Sequence, residues 1–241
     1  MKKYISLSKY PGKTGQYYYT KFFKHYGIDA VYTPYGTENI AKSLDKAVNK
    51  GVLGISVSMP YKTSVIDYID NLTDTARIYN TVNTITNDNG ILTGFNADFA
   101  GVEWACKQFN TDATVTVLGN GSMGKMFTDY LQTIHAGEVI TAARSADTWS
   151  LRLSPANVVI NATGLGTSTT DSPFKKLPPD VSLVIDLAIS DNNLKKQCMK
   201  AGVKYVGGGE FYKQQFLSQF EIYTGILPAA DVFDGFSLER L

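Results

Sequence analysis

The sequence predicts an α/β protein of two lobes, and three observations lead to this class. Over about the first hundred residues, short β-rich segments alternate with helical patterns, as in βαβ units with a largely parallel sheet. Asn89-Gly90 then predicts a hairpin turn between two β-rich arms. A second series of strands begins at Ala113, and its order of strand, glycine cluster and helix is typical of a doubly wound nucleotide-binding domain.

The composition excludes several classes of protein. Hydrophobic residues make up 44% of the 241 residues and charged residues 19%, which excludes disorder. The 23 Lys and Arg against 22 Asp and Glu leave a net charge of +1, so no general basic field exists for nucleic acid or an anionic membrane. A small-molecule partner is therefore expected, and the protein is expected to be a monomer or homodimer.

The cysteines, histidines and apolar runs indicate where the protein works. Two Cys and two His are too few for a disulfide framework, and their spacing builds no zinc site. No apolar run approaches the roughly 18 residues of a membrane span, and the start lacks the apolar core of a signal peptide. We expect a cytoplasmic protein with no metal.

In the first lobe, strands and helices alternate. The helix predicted before Gly51 carries Ile40, Leu44, Ala47 and Val48 on one face, which is the spacing of an amphipathic helix. The arms of the hairpin lie within 81–96 and lead out of this lobe. The predicted strands are 4–7, 30–35 and 53–57, and the predicted helices are 17–26 and 38–49.

The second lobe repeats the alternation with longer apolar strands, which suits a parallel sheet covered on both faces. A helix is predicted from the glycine cluster to about His135, and the sequence becomes helical again over 211–223. The predicted strands are 113–118, 138–143, 158–162 and 183–187, with a short one near Tyr205.

A glycine-rich loop follows the first strand of the second lobe, where a strand runs into G-x-G-x-x-G. Gly119 would permit the tight turn, Gly121 the close approach of a pyrophosphate, and Gly124 the contact between helix and strand. The helix N-terminus adds N–H groups and positive partial charge. This order favours dinucleotide binding over a purely structural glycine turn. The candidate cofactor residues here are Gly119, Asn120, Gly121, Ser122, Met123 and Gly124.

The end of the next strand indicates which dinucleotide is bound. An acidic residue there would bind a ribose 2′-hydroxyl, whereas an arginine would accommodate a 2′-phosphate. The sequence places Arg144 there, and no carboxylate follows before Asp147. Because guanidinium makes charge-assisted contacts to phosphate, NADP(H) is favoured over NAD(H). The alternative is that Arg144 is a solvated surface charge.

Polar residues cluster around the last strands of the first lobe. Lys62 comes just after a buried-looking strand and a proline, and Asn83, Asn96 and Asp98 flank the hairpin. Amides in segments that could be wholly apolar are costly to bury unless bonded. They indicate either a polar ligand or a structural hydrogen-bond network, and spacing alone leaves both open.

Several of these motifs occur together in a known order. They are Ser58-Met-Pro-Tyr-Lys62, Val82-Asn83-Thr84, Gly94-Phe-Asn96-Ala-Asp98, the loop 119–124, Asn161-Ala-Thr163, and Gln215 followed by Gln219-Phe-Glu-Ile-Tyr-Thr-Gly225. This series, from about Ser6 to Leu227, resembles the shikimate/quinate dehydrogenase family. The Ser6-Leu7-Ser8 and Ser-Met-Pro forms are most similar to its divergent shikimate dehydrogenase-like branch.

The resemblance implies a substrate lobe over 1–97, a Rossmann-type NADP lobe over 98–209, a cleft between them, and a C-terminal segment 210–241 that completes the first lobe. It also implies that Lys62 and Asp98 form the catalytic pair and that Asn83 and Gln215 bind other substrate hydroxyls. Thr163 would join the cofactor residues. The implied activity is hydride transfer between NADP(H) and shikimate, in aromatic amino acid biosynthesis.

The sequence departs from the family where the substrate carboxylate is bound. Family members use two serines there, but Lys13 and Gly15 occupy those positions. Ser56 stands where the family often has Asn, and Ser58 where it usually has Thr. Ile189 replaces the tyrosine of an Asp-x-x-Tyr motif. We take Lys13 and Ser58 as candidate substrate-binding residues.

Three functions therefore stay open. The first is an NADP-dependent dehydrogenase acting on shikimate. The second is the same reaction on quinate, an amino analogue or another small hydroxy acid, which the altered loop at Lys13 favours. The third is a cofactor-binding relative with little turnover, which the intact Lys62 and Asp98 disfavour.

Overall fold

The computed structural model describes residues 1–167 and 171–236, and the chain divides into two compact units. The first unit comprises Met1–Asp98 and Gln215–Leu241, and the second is Phe99–Gln214. The sequence predicts changes of lobe at 97/98 and 209/210, whereas the compact units change at 98/99 and at 214/215, the latter within the helix Gly208–Thr224. Residues 168–170 and 237–241 of the predicted lobes lie outside the described residues.

A six-stranded sheet forms the centre of the first unit, in the order β2-β1-β3-β5-β6-β4. β1 pairs in parallel with β2 and β3, whereas β5 pairs antiparallel with both β3 and β6. Asn89 and Gly90 join β5 to β6 with φ of 50° and 97°, the positive values that an Asn-Gly hairpin requires. The strands are β1 Lys2–Ser8, β2 Ala30–Gly36, β3 Gly54–Val57, β4 Asn71–Leu72, β5 Thr84–Asp88 and β6 Ile91–Phe95.

Helices of the first unit cover this sheet. The Asn39 side chain caps α2 by accepting the Lys42 N–H at 3.0 Å, and Ile40, Leu44 and Ala47 of α2 are buried against the sheet. The helices are α1 Thr14–His25, α2 Ile40–Asn49, the short α3 Asp74–Ile78 and α8 Ala230–Asp234, with a 3₁₀ helix over Ser64–Tyr68 and the C-terminal part of α7 Gly208–Thr224.

An aromatic layer joins the start of the first unit to its end. The Phe22 ring of α1 lies 4.8 Å from Phe216 and 5.3 Å from Phe220 of α7, measured between centroids. The Tyr4 hydroxyl of β1 donates to the Tyr223 carbonyl at 3.2 Å. These rings are large apolar surfaces that α1 and β1 cannot bury alone.

The second unit has a five-stranded, fully parallel sheet in the order β11-β10-β9-β7-β8. The chain passes from β7 to β8 on one side and then returns to β9 on the other, so the strand order reverses beside β7. The strands are β7 Val115–Leu118, β8 Val139–Ala142, β9 Val158–Asn161, β10 Leu183–Asp186 and β11 Lys204–Val206; the helices are α4 Asp98–Cys106, α5 Ser122–Ile134, α6 Asn193–Ala201 and the start of α7, with a 3₁₀ helix over Trp149–Leu153.

The two-unit α/β class predicted from the sequence is confirmed. Each predicted strand and helix is present, with boundaries that differ by a few residues. The sequence missed α4, α6 and the short elements, because their apolar spacing is less regular than that of α2. Among the described residues, no helix is both long and apolar enough to cross a membrane.

Candidate active site

Lys62 and Asp98 form an ion pair in the first unit. The Lys62 Nζ lies 2.8 Å from Asp98 Oδ2, and the two side chains are 25% and 5% exposed. A carboxylate this deeply buried needs a charged partner, since an unpaired buried charge is strongly destabilising. Asp98 is also the first residue of α4, where the helix dipole favours a negative charge. Lys62 is thereby held with its ammonium group at a fixed place but within reach of solvent.

Asn83 is connected to both members of this pair through the backbone. Its side-chain oxygen accepts the Ala97 N–H at 2.9 Å, one residue before Asp98. Val82 directly precedes Asn83, and its backbone N–H donates to the Lys62 carbonyl at 2.8 Å. The structure thus brings together three residues that the sequence singled out separately.

Gln215 lies on α7, and its position follows from Gln219 one turn further along. The Gln219 side chain donates to the Asn83 carbonyl at 3.2 Å and to Thr84 Oγ1 at 2.7 Å. Residues four apart share a helix face, so Gln215 lies on the face of α7 that Gln219 turns toward Asn83.

A partly buried hydroxyl cluster lies beside Gln219, and the sequence did not predict it. Ser56 Oγ donates to Gln219 Oε1 at 3.0 Å and accepts the Tyr32 hydroxyl at 2.8 Å. The Tyr223 hydroxyl lies 3.1 Å from Ser56 Oγ, and Tyr19 donates to Gln219 Oε1 at 3.0 Å. A glutamine in a helix rich in aromatic residues is the one sequence signal that could have revealed this cluster.

Burial controls the ionisation of these tyrosines. Desolvation raises the pKa of Tyr32 to about 12, against a smaller lowering by its hydrogen bond to Ser56. Desolvation likewise raises the pKa of Tyr223 well above its usual value. Both hydroxyls therefore stay protonated at neutral pH, and Tyr32 donates to Ser56 Oγ as a neutral group.

Three departures from the family pattern, at Lys13, Gly15 and Ser58, lie in the first unit, around the carboxyl ends of β1 and β3. Lys13 is exposed and precedes α1, with its carbonyl accepting the Tyr17 N–H at 2.9 Å. Gly15 lies against Tyr32, whose ring would be 3.3 Å from a Cβ at this position. Ser58 is exposed just after β3.

The glycine loop of the second unit has the shape that a pyrophosphate needs. Gly119 has φ of +99°, and a Cβ on Gly124 would collide with the Gly119 carbonyl oxygen. A Cβ on Gly121 would meet no atom within 4 Å, so the space beside this backbone is open. Gly121 is the N-cap of α5 and has no side chain to occupy the first N–H groups. The residues present therefore fit a dinucleotide phosphate.

Two loops of the second unit flank the glycine loop. Ser145 Oγ donates to Asn120 Oδ1 at 2.8 Å, and the exposed Arg144 guanidinium lies 5.8 Å from the centroid of the Trp149 ring. On the other side, a Cβ on Gly119 would lie 3.3 Å from the Thr163 methyl group. Arg144 and Thr163 thus lie on either side of the predicted cofactor loop.

A second buried network holds the loop that contains Thr163. Asn161 Nδ2 donates to Asp186 Oδ1 at 2.9 Å, and its oxygen accepts the Thr163 hydroxyl at 2.6 Å. Asp186 is fully buried and also accepts Asn192 at 2.8 Å and Tyr205 at 2.9 Å. Ile189, three residues after Asp186, is 73% exposed.

The sequence was compared with known proteins, and the matches point to one family. Residues 14–85 match the family model described as the shikimate dehydrogenase substrate binding domain. The chain is 31% identical over 239 residues to a shikimate dehydrogenase (NADP(+)) of Pyrococcus abyssi, covering 91% of this chain and 90% of that protein. It is 25% identical over 250 residues to a shikimate dehydrogenase-like protein of Haemophilus influenzae, covering 95% and 92%.

Solved structures share the fold. A shikimate 5-dehydrogenase-like protein superposes with a TM-score of 0.87 at 24% identity, covering 98% of this chain and 96% of that one. Shikimate 5-dehydrogenase of Thermus thermophilus, solved in complex with NADP(H) and shikimate, gives 0.86 at 20% identity, with 98% of each chain covered. The 31% identity to the Pyrococcus protein over 91% of this chain confirms the resemblance inferred from the motifs, and the chain belongs to the shikimate dehydrogenase family.

Proposed function

We propose that the protein is an NADP-dependent oxidoreductase that interconverts a ring hydroxyl of shikimate, or of a close analogue, with the corresponding ketone. The observation that carries the proposal is the pairing of Lys62 with the buried Asp98 at 2.8 Å. The name of the Pyrococcus abyssi relative, shikimate dehydrogenase (NADP(+)), supports the substrate and the cofactor.

Lys62 and Asp98 carry the proton chemistry. During oxidation Lys62, as the neutral amine, takes the proton of the reacting hydroxyl and becomes an ammonium, and during reduction this ammonium returns the proton to the oxygen. Asp98 holds the ammonium group and orients the hydroxyl. Because Asp98 is 5% exposed at the side chain, water screens this interaction weakly.

Other residues of the first unit bind the rest of the ring. Asn83 binds the N–H of Ala97, which precedes Asp98, and it follows Val82, whose N–H binds the Lys62 carbonyl. Gln215 shares a face of α7 with Gln219, which donates to the Asn83 carbonyl. Both carboxamides would bind hydroxyls that are not oxidised. Ser58 and Lys13 are exposed at the same edge of the sheet and are the proposed contacts to the anionic group.

The second unit would hold NADP. Residues 119–124 and the first N–H groups of α5 would bind the pyrophosphate, and Arg144 the 2′-phosphate. When bound, NADP(H) would supply the hydride transfer to or from the substrate carbon. Thr163, held by Asn161, would line the cofactor site.

A second candidate substrate is a hydroxy acid whose anionic group is placed differently, such as quinate or an amino analogue. Gly15 offers no hydroxyl where the family uses a serine, and the Tyr32 ring lies against it. Lys13 supplies a charge where the family has a neutral donor. This loop therefore favours altered carboxylate recognition while the reaction class stays the same.

A panel of oxidations tests these alternatives. Shikimate, quinate and aminoshikimate are each incubated with NADP and with NAD, and the reduced cofactor is followed by absorbance. Oxidation of shikimate with NADP, lost in Lys62→Ala, would support the first function. Turnover of none of the three substrates with either cofactor would contradict both proposed functions and favour a relative with little turnover.

The cytoplasm is the proposed compartment, and a monomer or homodimer the proposed assembly. Cys106 and Cys198 are both free and buried, and desolvation raises the pKa of the two thiols to about 12 and about 11. Such thiols are inert, which suits a protein whose cysteines serve packing. Light scattering on the purified protein determines the assembly.

A further inference from the structure

A directional chain of hydrogen bonds leads from Gln219 to Asn83. The direction at Gln219 is set by the Asn83 backbone carbonyl, which can only accept and lies 3.2 Å from Nε2. The nitrogen of Gln219 therefore faces Asn83 and Thr84, and its oxygen faces Tyr19 and Ser56. Turning the Gln219 amide over would place its Oε1 against the Asn83 carbonyl oxygen, two acceptors with no proton between them.

Thr84 passes this direction on. Its Oγ1 accepts from Gln219 Nε2 at 2.7 Å and donates to Asn83 Oδ1 at 2.8 Å. A hydroxyl has one proton, so the bond from Gln219 commits that proton to Asn83. Thr84 itself is fully buried and has no surface from which to touch a ligand.

The series of hydrogen bonds ends at Asn83, whose side-chain NH2 group is a donor without a partner in the described part of the chain. Oδ1 accepts from both Thr84 and the Ala97 N–H, so the orientation of the carboxamide is fixed. Its Nδ2 is buried and finds no hydrogen-bond partner among residues 1–167 and 171–236. A buried amide nitrogen without a partner is costly, and such groups in native proteins have a reason.

We infer that Gln219 and Thr84 are positioning residues that fix Asn83 with its NH2 group available to an oxygen acceptor of the substrate. This inference rests on the proposed function, in which Asn83 binds a hydroxyl that is not oxidised. The substrate atom bound there must offer a lone pair, as a hydroxyl or carbonyl oxygen does. Because Nδ2 is buried, with less than 1 Å² of accessible surface, substrate binding includes a local shift that uncovers it.

Selectivity is the property that reports this role. A site built to donate to a substrate oxygen rejects an analogue without that oxygen, because the donor is then left unpaired. We therefore compare kcat/KM for shikimate with kcat/KM for two analogues, each lacking one of the two hydroxyls that are not oxidised. Calorimetry measures the Kd of shikimate for the same proteins.

Four variants separate positioning from packing. Gln219→Met keeps the length of the side chain and loses its hydrogen bonds, and Thr84→Val removes only the linking hydroxyl. Thr84→Ser restores that hydroxyl. Gln197→Met is the matched control in the second unit, where Gln197 accepts from Ser172 at 3.0 Å and donates to the Phe174 carbonyl at 3.0 Å.

The wild type is expected to discriminate against one of the two analogues. Gln219→Met and Thr84→Val should each reduce that discrimination by about fivefold to tenfold and weaken shikimate binding by a similar factor. Thr84→Ser and Gln197→Met should keep the wild-type ratio. Melting temperatures, measured in parallel, identify any variant that fails to fold. If either Gln219→Met or Thr84→Val fails to fold, the other variant decides the test.

The outcomes distinguish this inference from the proposed function. If the wild type oxidises shikimate and Gln219→Met or Thr84→Val, while folded, keeps its discrimination, the inference is overturned and the function stands. Equal values of kcat/KM for shikimate and for the two analogues in the wild type would likewise overturn the inference and leave the proposed function standing. A wild type that neither binds nor oxidises shikimate overturns both.

Discussion

The hydroxyl of Ser145 donates a 2.8 Å hydrogen bond to the side-chain oxygen of Asn120, and this bond ties the loop after β8 to the glycine loop after β7. Arg144 precedes Ser145 directly, so its backbone is held at a fixed distance from the proposed phosphate site. Its guanidinium lies over the face of Trp149, 5.8 Å from the ring centroid. Arg144, the proposed contact to the 2′-phosphate, is therefore held in place by the loop that carries it.

Removing Arg144 should narrow the preference for NADP over NAD. In Arg144→Ala a charged contact to the 2′-phosphate is lost, which is typically worth about 1.5–3 kcal/mol, while NAD has no such phosphate to lose. Titration of each cofactor, followed by the fluorescence of the protein, measures the two affinities. Equal affinities in the wild type would contradict the assignment.

Arg152 provides the matched control for Arg144. Its guanidinium lies 4.9 Å from the same Trp149 ring but donates to the Pro173 and Trp149 carbonyls at 3.0 and 2.7 Å. Arg152→Ala should lower the melting temperature and leave the ratio of NADP to NAD affinity unchanged. If Arg152→Ala changed the ratio of NADP to NAD affinity as much as Arg144→Ala does, the loss of preference would be due to the Trp149 ring that both arginines contact.

Two glycines of the cofactor loop should respond differently to alanine. A methyl group on Gly121 meets open space, so Gly121→Ala should keep the melting temperature but weaken NADP binding by at least about tenfold. A methyl group on Gly124 collides with the Gly119 carbonyl, so Gly124→Ala should lower both stability and affinity. Thermal unfolding and cofactor titration measure the two effects, and unchanged affinity in Gly121→Ala would count against a phosphate at this loop.

Loss of either member of the buried ion pair should stop catalysis. Lys62→Ala and Asp98→Ala are expected to reduce kcat by about 10²-fold or more, with NADP affinity nearly unchanged. The control is Lys195→Ala, which breaks the exposed ion pair with Asp191, 42% and 80% exposed, and should leave turnover intact. If Lys62→Ala lowered only the melting temperature, Lys62 would belong to the scaffold.

Lys13 should set how well shikimate is used. Its long side chain loses more rotamer entropy than a serine when it holds a carboxylate, so we expect weak wild-type activity on shikimate. Lys13→Ser should improve this activity, whereas Lys13→Ala should raise the KM. Steady-state kinetics decide, since an unchanged KM in both variants would remove Lys13 from the site.

The buried tyrosines make the protein sensitive to alkaline pH. Because burial raises the pKa of Tyr32 to about 12, the unfolded chain loses this proton from about pH 10 while the folded one keeps it. The free energy of unfolding therefore falls as the pH rises between about 10 and 12, at up to about 1.4 kcal/mol per pH unit for this group.

Urea unfolding at several pH values tests this expectation. Tyr32→Phe should make the decline shallower between pH 10 and 12, at the cost of the hydrogen bond to Ser56 at lower pH. Tyr10→Phe, with a ring that is 83% exposed, is the control and should follow the wild type. Identical slopes in all three proteins would show that Tyr32 does not contribute.

The sequence predicted the fold well because its signals are local. The apolar stripe of α2, the Asn89-Gly90 turn and the loop 119–124 each depend on a few neighbouring residues, and each appears in the structure as expected. The pairing of Lys62 with Asp98 was predicted only from the family resemblance. The two residues are 36 positions apart, and no local sequence pattern specifies a 2.8 Å contact over that separation.

The polar network around Gln219 could not be predicted in the same way. Its bonds to Asn83 and Thr84 join residues more than 130 positions apart, and they exist only because α7 packs on the first sheet. Tyr32 and Tyr223 look like ordinary aromatic core residues in the sequence, because one-dimensional patterns do not show which hydroxyls will meet.

The first unit is interrupted along the chain, and this bears on how it is made. Phe216 and Phe220, which complete the aromatic layer against Phe22, are synthesised after the whole of the second unit. During translation the N-terminal strands and helices therefore keep part of their apolar surface uncovered until Phe216 and Phe220 have left the ribosome. The second unit, continuous from Phe99 to Gln214, can complete its sheet first.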